Sequence, residues 1–275
     1  MIKNEKKLMK KLEVREKRYE VEQLFKEKRS EEMEALEEVF DKTTLMTVYD
    51  LLNKGYISKI FGAIEAGKES KLYWGLNHDG NDLAIKIYLS HSTEFKKGRL
   101  IYIEGDPRFT RIRKDTRSLV YLWAQKEFKN LKLAQEAGVR VPKPIFVEKN
   151  VLLMEFVGEN GIPAPLLKET SLKNPAKVYK KLIDYVKLLY EKAKLIHGDL
   201  SEYNVMIWKN RPVLFDVSQA VLIEHPLSDY FLKRDIVNLN NHFQKYGIKV
   251  KPIDELYRWV IGHGGCGSYR FYSKR

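Results

Sequence analysis

The chain has 275 residues, 44% of them hydrophobic, which is enough for one large domain or two smaller lobes around a real core. Mean hydropathy is −0.44, no apolar run approaches the roughly 18 residues that cross a bilayer, and no apolar segment follows the basic start "MIKNEKKLMKK", so neither a membrane span nor a secretory signal is expected. The single cysteine, Cys266, excludes an internal disulfide and fits a reducing cytoplasm, while a net charge of +13 favours polyanionic partners such as nucleic acid.

Residues 1–40 are rich in Glu, Lys, Leu and Met and hold no Gly or Pro, which predicts helix. The apolar positions there (Leu8, Leu12, Tyr19, Val21, Leu24, Phe25) are only loosely periodic, as in a solvated arm or a lid. "TTLMTVYDLLNKG" predicts a second helix, capped by Thr43 or Thr44 and stopped by Gly55. The β-branched and aromatic stretch 56–90, with turn residues at Asn77–Gly80, reads as strand, glycine turn, strand, hairpin, strand. Residues 90–118 lack a clear period and suggest a long mobile loop. "LVYLWAQKEFKNLKLAQEA", 119–137, predicts a helix ended by Gly138. "VRVPKPIFVEKNVLLMEFVG" predicts two more strands, 175–195 a long amphipathic helix, and "VMIWKNRPVLFDVSQAV" a short hairpin. Helix is expected from there to the Gly-rich tail at 262–267. The order is five strands with one inserted helix, a linker, then mostly helix. It predicts an α+β chain of two lobes with a cleft between them.

Three separated features carry chemistry. "FGAIEAGKES" nearly matches a Walker A loop, but Glu69 stands where Ser or Thr should hold magnesium, and strand-like sequence follows where a helix should open. A P-loop is therefore rejected, although a glycine turn between strands can still fold over phosphates. Lys86 lies in the apolar run "LAIKIY". Taken alone it is better explained as an edge-strand lysine facing water, and Glu127 as one more exposed helix charge. Together they form the lysine–glutamate pair that positions ATP phosphates. Finally, "HGDLSEYN" keeps His197, Asp199 and Asn204, with Asp216 following across a hairpin. Phosphoryl transfer needs oxygen ligands for a metal, which Asn204 and Asp216 supply, and a group to orient the nucleophile, which Asp199 supplies. His197 is expected to prop the loop rather than react.

The segments "GKES", "LAIKIY", "GDPRF", "KEFKNL", "AGVRVPKPI", "LLMEFVG", "IHGDLSEYN" and "DVSQAV…HP", spread over roughly residues 43–240, resemble the RIO atypical serine/threonine protein kinases. "DVSQ" and "HGDLSEYN" point to the type-one subgroup in its archaeal form. The resemblance implies a reduced two-lobed protein-kinase-like fold: an antiparallel β N-lobe with one inserted helix, and a mainly helical C-lobe. The boundaries expected are a charged helical extension at 1–42, an N-lobe at 43–157 and a C-lobe at 158–275. It implies that Ser70 and Lys86 contact ATP phosphates and that Met154, Glu155, Phe156 and Val157 form the hinge. The adenine would bond the backbone of Glu155 and Val157. Asn204 and Asp216 would hold magnesium, or manganese in its place, and Asp199 would be the catalytic base. Asp216 is implied as a phosphate acceptor in an ATPase cycle. The partners implied are the immature small ribosomal subunit and its rRNA, whose late maturation is the family's role.

There is no G-x-G-x-x-G, D-F-G or A-P-E, and the segment after Asp216 is too short for a full activation loop, so peptide recognition does not carry over. Two other readings stay open: a nucleotide-gated ribosome-assembly factor, and a small-molecule kinase of the aminoglycoside or choline type. Ser92, Thr93, Thr110, Thr116 and Ser118 are candidate autophosphorylation sites. Arg108, Arg111, Arg113, Lys114 and Arg117 form a basic cluster suited to rRNA phosphates. His263 and Cys266 are too few for a zinc site.

Overall fold

The structure is a computed structural model that describes Leu36 and residues 39–89, 98–109 and 115–262. Most of the N-terminal segment 1–40, together with Ser92, Thr93, Thr110, Arg111, Arg113, Lys114, His263 and Cys266, lies outside the described residues. The chain divides into two compact units, Met1–Leu45 and Met46–Arg275. Helix α1 spans Lys42–Asn53. Its cap is Asp41, whose carboxylate accepts from Thr44 N–H at 2.8 Å, rather than either threonine.

Within the second unit, five strands form one antiparallel sheet: β1 (Lys59–Ala66), β2 (Ser70–Leu76), β3 (Asp82–Tyr88), β4 (Pro144–Glu148) and β5 (Val151–Glu155). The order β1-β2-β3-β5-β4 puts β3 at the centre. Lys86 pairs Leu72 on one side and Leu152 on the other, so it is not an edge residue. The first turn closes on Gly67 N–H to Ser70 O (3.0 Å), and the second on Asn77 N–H to Asn81 O (3.0 Å).

Helix α2 (Thr116–Glu136) begins three residues before its expected start, because the Asp115 side chain caps Ser118 N–H at 2.9 Å. Thr116 and Ser118 are therefore first-turn residues of a helix. Leu119, Val120, Trp123, Ala124, Leu131 and Ala134 form the apolar stripe that packs it down. Lys126, Glu127 and Asn130 are buried with that stripe. Residues 98–109, expected as mobile loop, are folded: a 3-10 turn at Leu100–Tyr102 leads to Ile103 and Phe109, which are buried in a cluster with Trp123 and Tyr88.

After β5 a small hairpin, β6 (Gly158–Glu159) and β7 (Ile162–Pro163), turns back onto the sheet. Gly161 has φ +77°, and any Cβ there would sit 2.6 Å from the Trp74 ring, so a left-handed close approach requires glycine. The long helix expected over 175–195 ends sooner. Helix α3 is Pro175–Leu188, a π turn covers Leu189–Ala193, and Lys194 is left-handed (φ 53°). Leu195–Ile196 then forms β8, paired with β11 (Val221–Leu222). Between them lies the hairpin β9 (Val205–Trp208) and β10 (Arg211–Leu214). Helices α4 (Ser228–Gln244) and α5 (Ile253–Val260) are the last elements among the described residues, separated by irregular backbone where continuous helix was expected. Phe231, Leu232, Ile236, Leu239 and Phe243 of α4 pack with Tyr179, Leu182 and Ile183 of α3 in the main core. No helix among the described residues is long and apolar enough to cross a membrane.

Candidate active site

A cavity of about 520 Å³ lies between the sheet and the helical half. It is lined by Gly67 and Ser70 from the glycine turn, Lys86 from β3, Glu127 from α2, the Met154–Val157 segment, and Tyr203, Asn204 and Asp216 from the opposite wall. Of the catalytic and nucleotide-binding candidates singled out from the sequence, Asp199 is not a lining residue; it is bonded to Asn204, which is.

Lys86 organises the floor. Its Nζ is 2.9 Å from both carboxylate oxygens of Glu127 and 3.1 Å from Asp216 Oδ1. Burial works against the ammonium, but the Asp216 and Glu127 carboxylates outweigh it and hold the Lys86 pKa well above its ordinary value. Tyr88, two residues on and fully buried, donates its hydroxyl to Glu127 Oε2. Lys86 and Tyr88 together thus fix the Glu127 carboxylate.

Asp216 has φ 52° and ψ 54°, a left-handed conformation that costs a non-glycine residue about 1–3 kcal/mol. The next turn, Val217–Gln219, is clamped from α2: Lys126 donates to the carbonyls of Ser218 (2.9 Å) and Ala220 (2.5 Å), and Asn130 to those of Val217 (2.8 Å) and Ala220 (3.1 Å). Arg108 donates to Asn130 Oδ1 at 2.8 Å and is itself forked onto Asp106. Arg108 is therefore structural, which removes it from the basic cluster expected to meet rRNA. Burial raises the Asp216 pKa, but Lys86, the Ser218 hydroxyl (2.8 Å) and Arg99 bring it down to about 2. Both Lys86 and Ser218 bond Oδ1.

The loop 197–204 is held from beneath. Asp235, on the buried face of α4, accepts Gly198 N–H (2.9 Å) and Leu200 N–H (2.8 Å). Arg234 donates to Gly198 O and to the Tyr102 hydroxyl, and Asn238 to Leu200 O. Gly198 is left-handed (φ +75°) with Gln219 O only 3.2 Å from where a Cβ would stand. His197 turns away from the cavity: Nε2 meets Phe215 O at 3.2 Å, and burial lowers its pKa to about 4. Asn204 Nδ2 donates to Asp199 O (2.7 Å) and Oδ2 (3.2 Å), and Gln219 adds a third bond, to Asp199 Oδ2 at 3.3 Å. Burial and the nearby Asp216 charge raise the Asp199 pKa against the opposing pull of Arg234 and Asn204.

At the other end of the cavity, the Glu155 side chain binds Arg140 (2.5 and 2.8 Å) and Lys143 N–H. The Glu155 N–H goes to Lys143 O and the Val157 carbonyl receives Ala164 N–H. Among the described residues no backbone carbonyl takes the Val157 N–H, which leaves a donor beside the cavity. No group of three or more His, Cys, Asp or Glu among the described residues forms a metal cage. Asn204 and Asp216 instead supply two oxygen-bearing side chains, which suits a cation that completes its shell with water and substrate phosphates.

Tyr88, Lys126, Asn130, Ser218, Gln219, Arg234, Asp235 and Arg99 were not singled out from the sequence. Lys126, Asn130 and Asp235 carry a signal there, since each falls on the apolar stripe of its helix. Tyr88, Ser218 and Gln219 lie within the quoted segments "LAIKIY" and "DVSQ", whereas Arg99 and Arg234 carry no such signal.

The family model for the RIO domain matches residues 71–256. The chain belongs to the RIO family of serine/threonine-protein kinases. Two archaeal relatives set its subgroup. The RIO-type serine/threonine-protein kinase Rio1 of Haloferax volcanii is 41% identical over 238 residues, covering 86% of this chain and 81% of that protein. The Methanocaldococcus jannaschii Rio1 is 38% identical over 245 residues, covering 89% and 83%. Human RIO1 is 35% identical, and this chain covers 42% of its length. Among solved structures, the Rio2 kinase of Chaetomium thermophilum in its ADP/Mg2+-phosphoaspartate complex superposes with TM-score 0.63 at 22% identity, covering 80% of this chain and 66% of that one. At that identity the likeness bears on the fold alone: a two-lobed kinase-like architecture with an antiparallel N-lobe sheet. The RIO domain of this chain is thus a type-one serine/threonine-kinase domain, as the motifs imply.

Proposed function

We propose that the cavity binds ATP with magnesium, or manganese in its place, and that the chain transfers the terminal phosphoryl group during maturation of the small ribosomal subunit. The observation that carries this is Lys86 within hydrogen-bond reach of both Glu127 and Asp216, on the floor of a cavity whose far end offers the Val157 N–H. The adenine sits against the backbone of Glu155 and Val157. Ser70 and Lys86 engage phosphates under the glycine turn. Asn204 and Asp216 would hold a magnesium ion, which would supply counter-charge for the phosphates. Asp199, fixed by Asn204 and Gln219, orients a Ser or Thr hydroxyl and takes its proton; its raised pKa suits that task.

A second reading is favoured by Asp216 itself. Its two side-chain donors fall on Oδ1, so Oδ2 is the oxygen available for attack on the terminal phosphorus. The bond from that phosphorus to the ADP oxygen breaks as the Oδ2–P bond forms, and water later hydrolyses the acyl phosphate. The Rio2 structure named above carries a phosphoaspartate. Such a cycle makes the protein a switch on the ribosomal particle, and the net charge of +13 fits an rRNA-rich partner.

The test follows free phosphate and protein-bound label from ATP, in wild type, Asp199→Ala and Asp216→Ala, with and without immature small subunits. Acid-stable label on Ser or Thr, lost in both variants, supports protein kinase chemistry. Subunit-stimulated phosphate release with hydroxylamine-sensitive label, lost in Asp216→Ala, supports the switch. ATP binding with neither activity refutes catalysis and leaves a nucleotide-gated binding module.

A further inference from the structure

Arg99 makes no step of the chemistry above and is not among the residues that line the cavity, yet its charge helps hold the Asp216 carboxylate ionised. Its guanidinium pairs with Glu69, the residue before Ser70 in the glycine turn. It also lies 4.5 Å over the Trp123 ring, one helical turn before Glu127. The backbone that presents it is pinned. Three residues on, Tyr102 stacks on Phe231 at 5.1 Å and accepts from Arg234, which bonds Gly198 O beside Asp199. Ile103 is buried, and Asp106 is locked to Arg108. Arg99 is therefore held between the glycine turn and the catalytic loop, with its side chain only 16% exposed. The acids of the site (Asp216, Glu127 and Asp199) all act on its guanidinium, although burial still leaves its pKa below the usual arginine value.

An acidic side chain next to a phosphate-contacting serine is electrostatically wrong for a polyanion unless a cation neutralises it. An arginine in that position can also change partners, because a guanidinium matches a phosphate fork as well as a carboxylate. We infer that Arg99 discriminates the terminal phosphate: Glu69 holds it in the absence of nucleotide, and it exchanges that carboxylate for the outermost phosphate of a nucleoside triphosphate. Arg99 then acts as a specificity-determining residue that favours triphosphate over diphosphate, and the released Glu69 frees the glycine turn from the 98–109 segment. This rests on the reading that the cavity takes ATP.

The experiment is calorimetric titration of ATP, ADP and AMP, each with magnesium, into full-length wild type, Arg99→Gln, Glu69→Gln and the double variant. Arg99→Gln should weaken ATP roughly tenfold, as loss of a charge-assisted pair does, with ADP and AMP left nearly unchanged. Glu69→Gln should tighten ATP a few-fold by removing the competitor, and the double variant should behave as Arg99→Gln. A double variant restored to wild-type ATP affinity would show that Arg99 only neutralises Glu69 and would overturn the inference. So would equal losses for all three nucleotides. Should Arg99→Gln not fold, as AMP binding and thermal melting report, Arg99→Lys is read the same way, since a lysine cannot reproduce the fork; an unchanged ATP-to-ADP preference then counts against the inference. Wild type that binds none of the three nucleotides refutes the ATP reading itself, which is a separate failure.

Discussion

Lys86 and Glu127 meet at 2.9 Å across 41 residues of sequence, with the glutamate carboxylate only 1% exposed. A buried acid of this kind depends on its cation. Lys86→Met should therefore cost about 3 kcal/mol or more of stability as well as turnover, because Glu127 is left uncompensated. Lys86→Met combined with Glu127→Gln should regain most of that stability and none of the activity. Urea unfolding alongside ATP turnover checks both. A double variant no more stable than the single one would mean the two residues are not energetically coupled.

Lys126 is fully buried and spends its donors on carbonyls two and four residues beyond Asp216. Burial lowers its pKa well below the usual lysine range. Lys126→Met should leave ATP affinity without metal nearly unchanged. It should raise the magnesium concentration for half-maximal turnover by roughly 10–100-fold, the usual effect of losing a residue that orients a metal ligand. An unchanged magnesium requirement would leave Lys126 as simple core filling.

Tyr88 holds the second oxygen of Glu127. Replacing it with Phe leaves that oxygen short of a donor in a buried place, at about 1–2 kcal/mol, and the Glu127 pKa should rise further. Lys86 then loses its charged partner at a higher pH than in wild type. The acid limb of the kcat/KM profile should move to higher pH, and a profile superimposable on wild type would refute this role.

Asp235 and His197 make opposing contributions in one pH window. Burial, against the pull of Leu200 N–H, Gly198 N–H and Arg234, raises the Asp235 pKa from 3.8 to about 7. Between those values the folded state keeps a proton the unfolded state has lost, so stability from this group falls as pH rises. His197, lowered from 6.5 to about 4, does the reverse: the unfolded state gains a proton the fold refuses, and stability falls as pH drops. Between about pH 4.5 and 6.5 these two groups, each contributing about one proton of opposite sign, leave wild-type Tm flatter than either alone would. Asp235→Asn removes one side of the balance, so its Tm should fall as pH is lowered through this window. A variant Tm as flat as wild type would exclude the balance.

Much of this was legible in the sequence. The five strands and the inserted helix follow from alternation and turn residues, because each is a local pattern. The distant set Lys86, Glu127, Asn204 and Asp216 converges on one cavity as its order suggested. Lys86 was ambiguous by itself, since period alone cannot tell a central strand from an edge; only the β2–β3–β5 pairing settles which it is. The early end of α3 was not legible either, because the helical pattern runs on while tertiary pairing of Leu195–Ile196 with β11 pulls the chain out of it. The 98–109 segment has no period because it is folded by side-chain bonds, Arg108 to Asp106 and Asn130 above all, and these leave no mark on hydrophobic spacing.

The β6–β7 hairpin fastens the interlobe linker to the sheet: Asn160 N–H reaches Asp82 at 3.3 Å, Trp74 Nε1 donates to the same carboxylate at 2.7 Å, and Gly161 lies flat on the Trp74 ring. The segment that follows the Met154–Val157 wall is thus braced against the sheet, and under the proposed ATP reading release of the product nucleotide requires that brace to loosen. On that reading the residence time of ADP, more than the speed of phosphoryl transfer, is the expected clock of the cycle. Gly161→Ala, which drives a methyl into Trp74, should shorten that clock, and stopped-flow release of a fluorescent ADP analogue would time it.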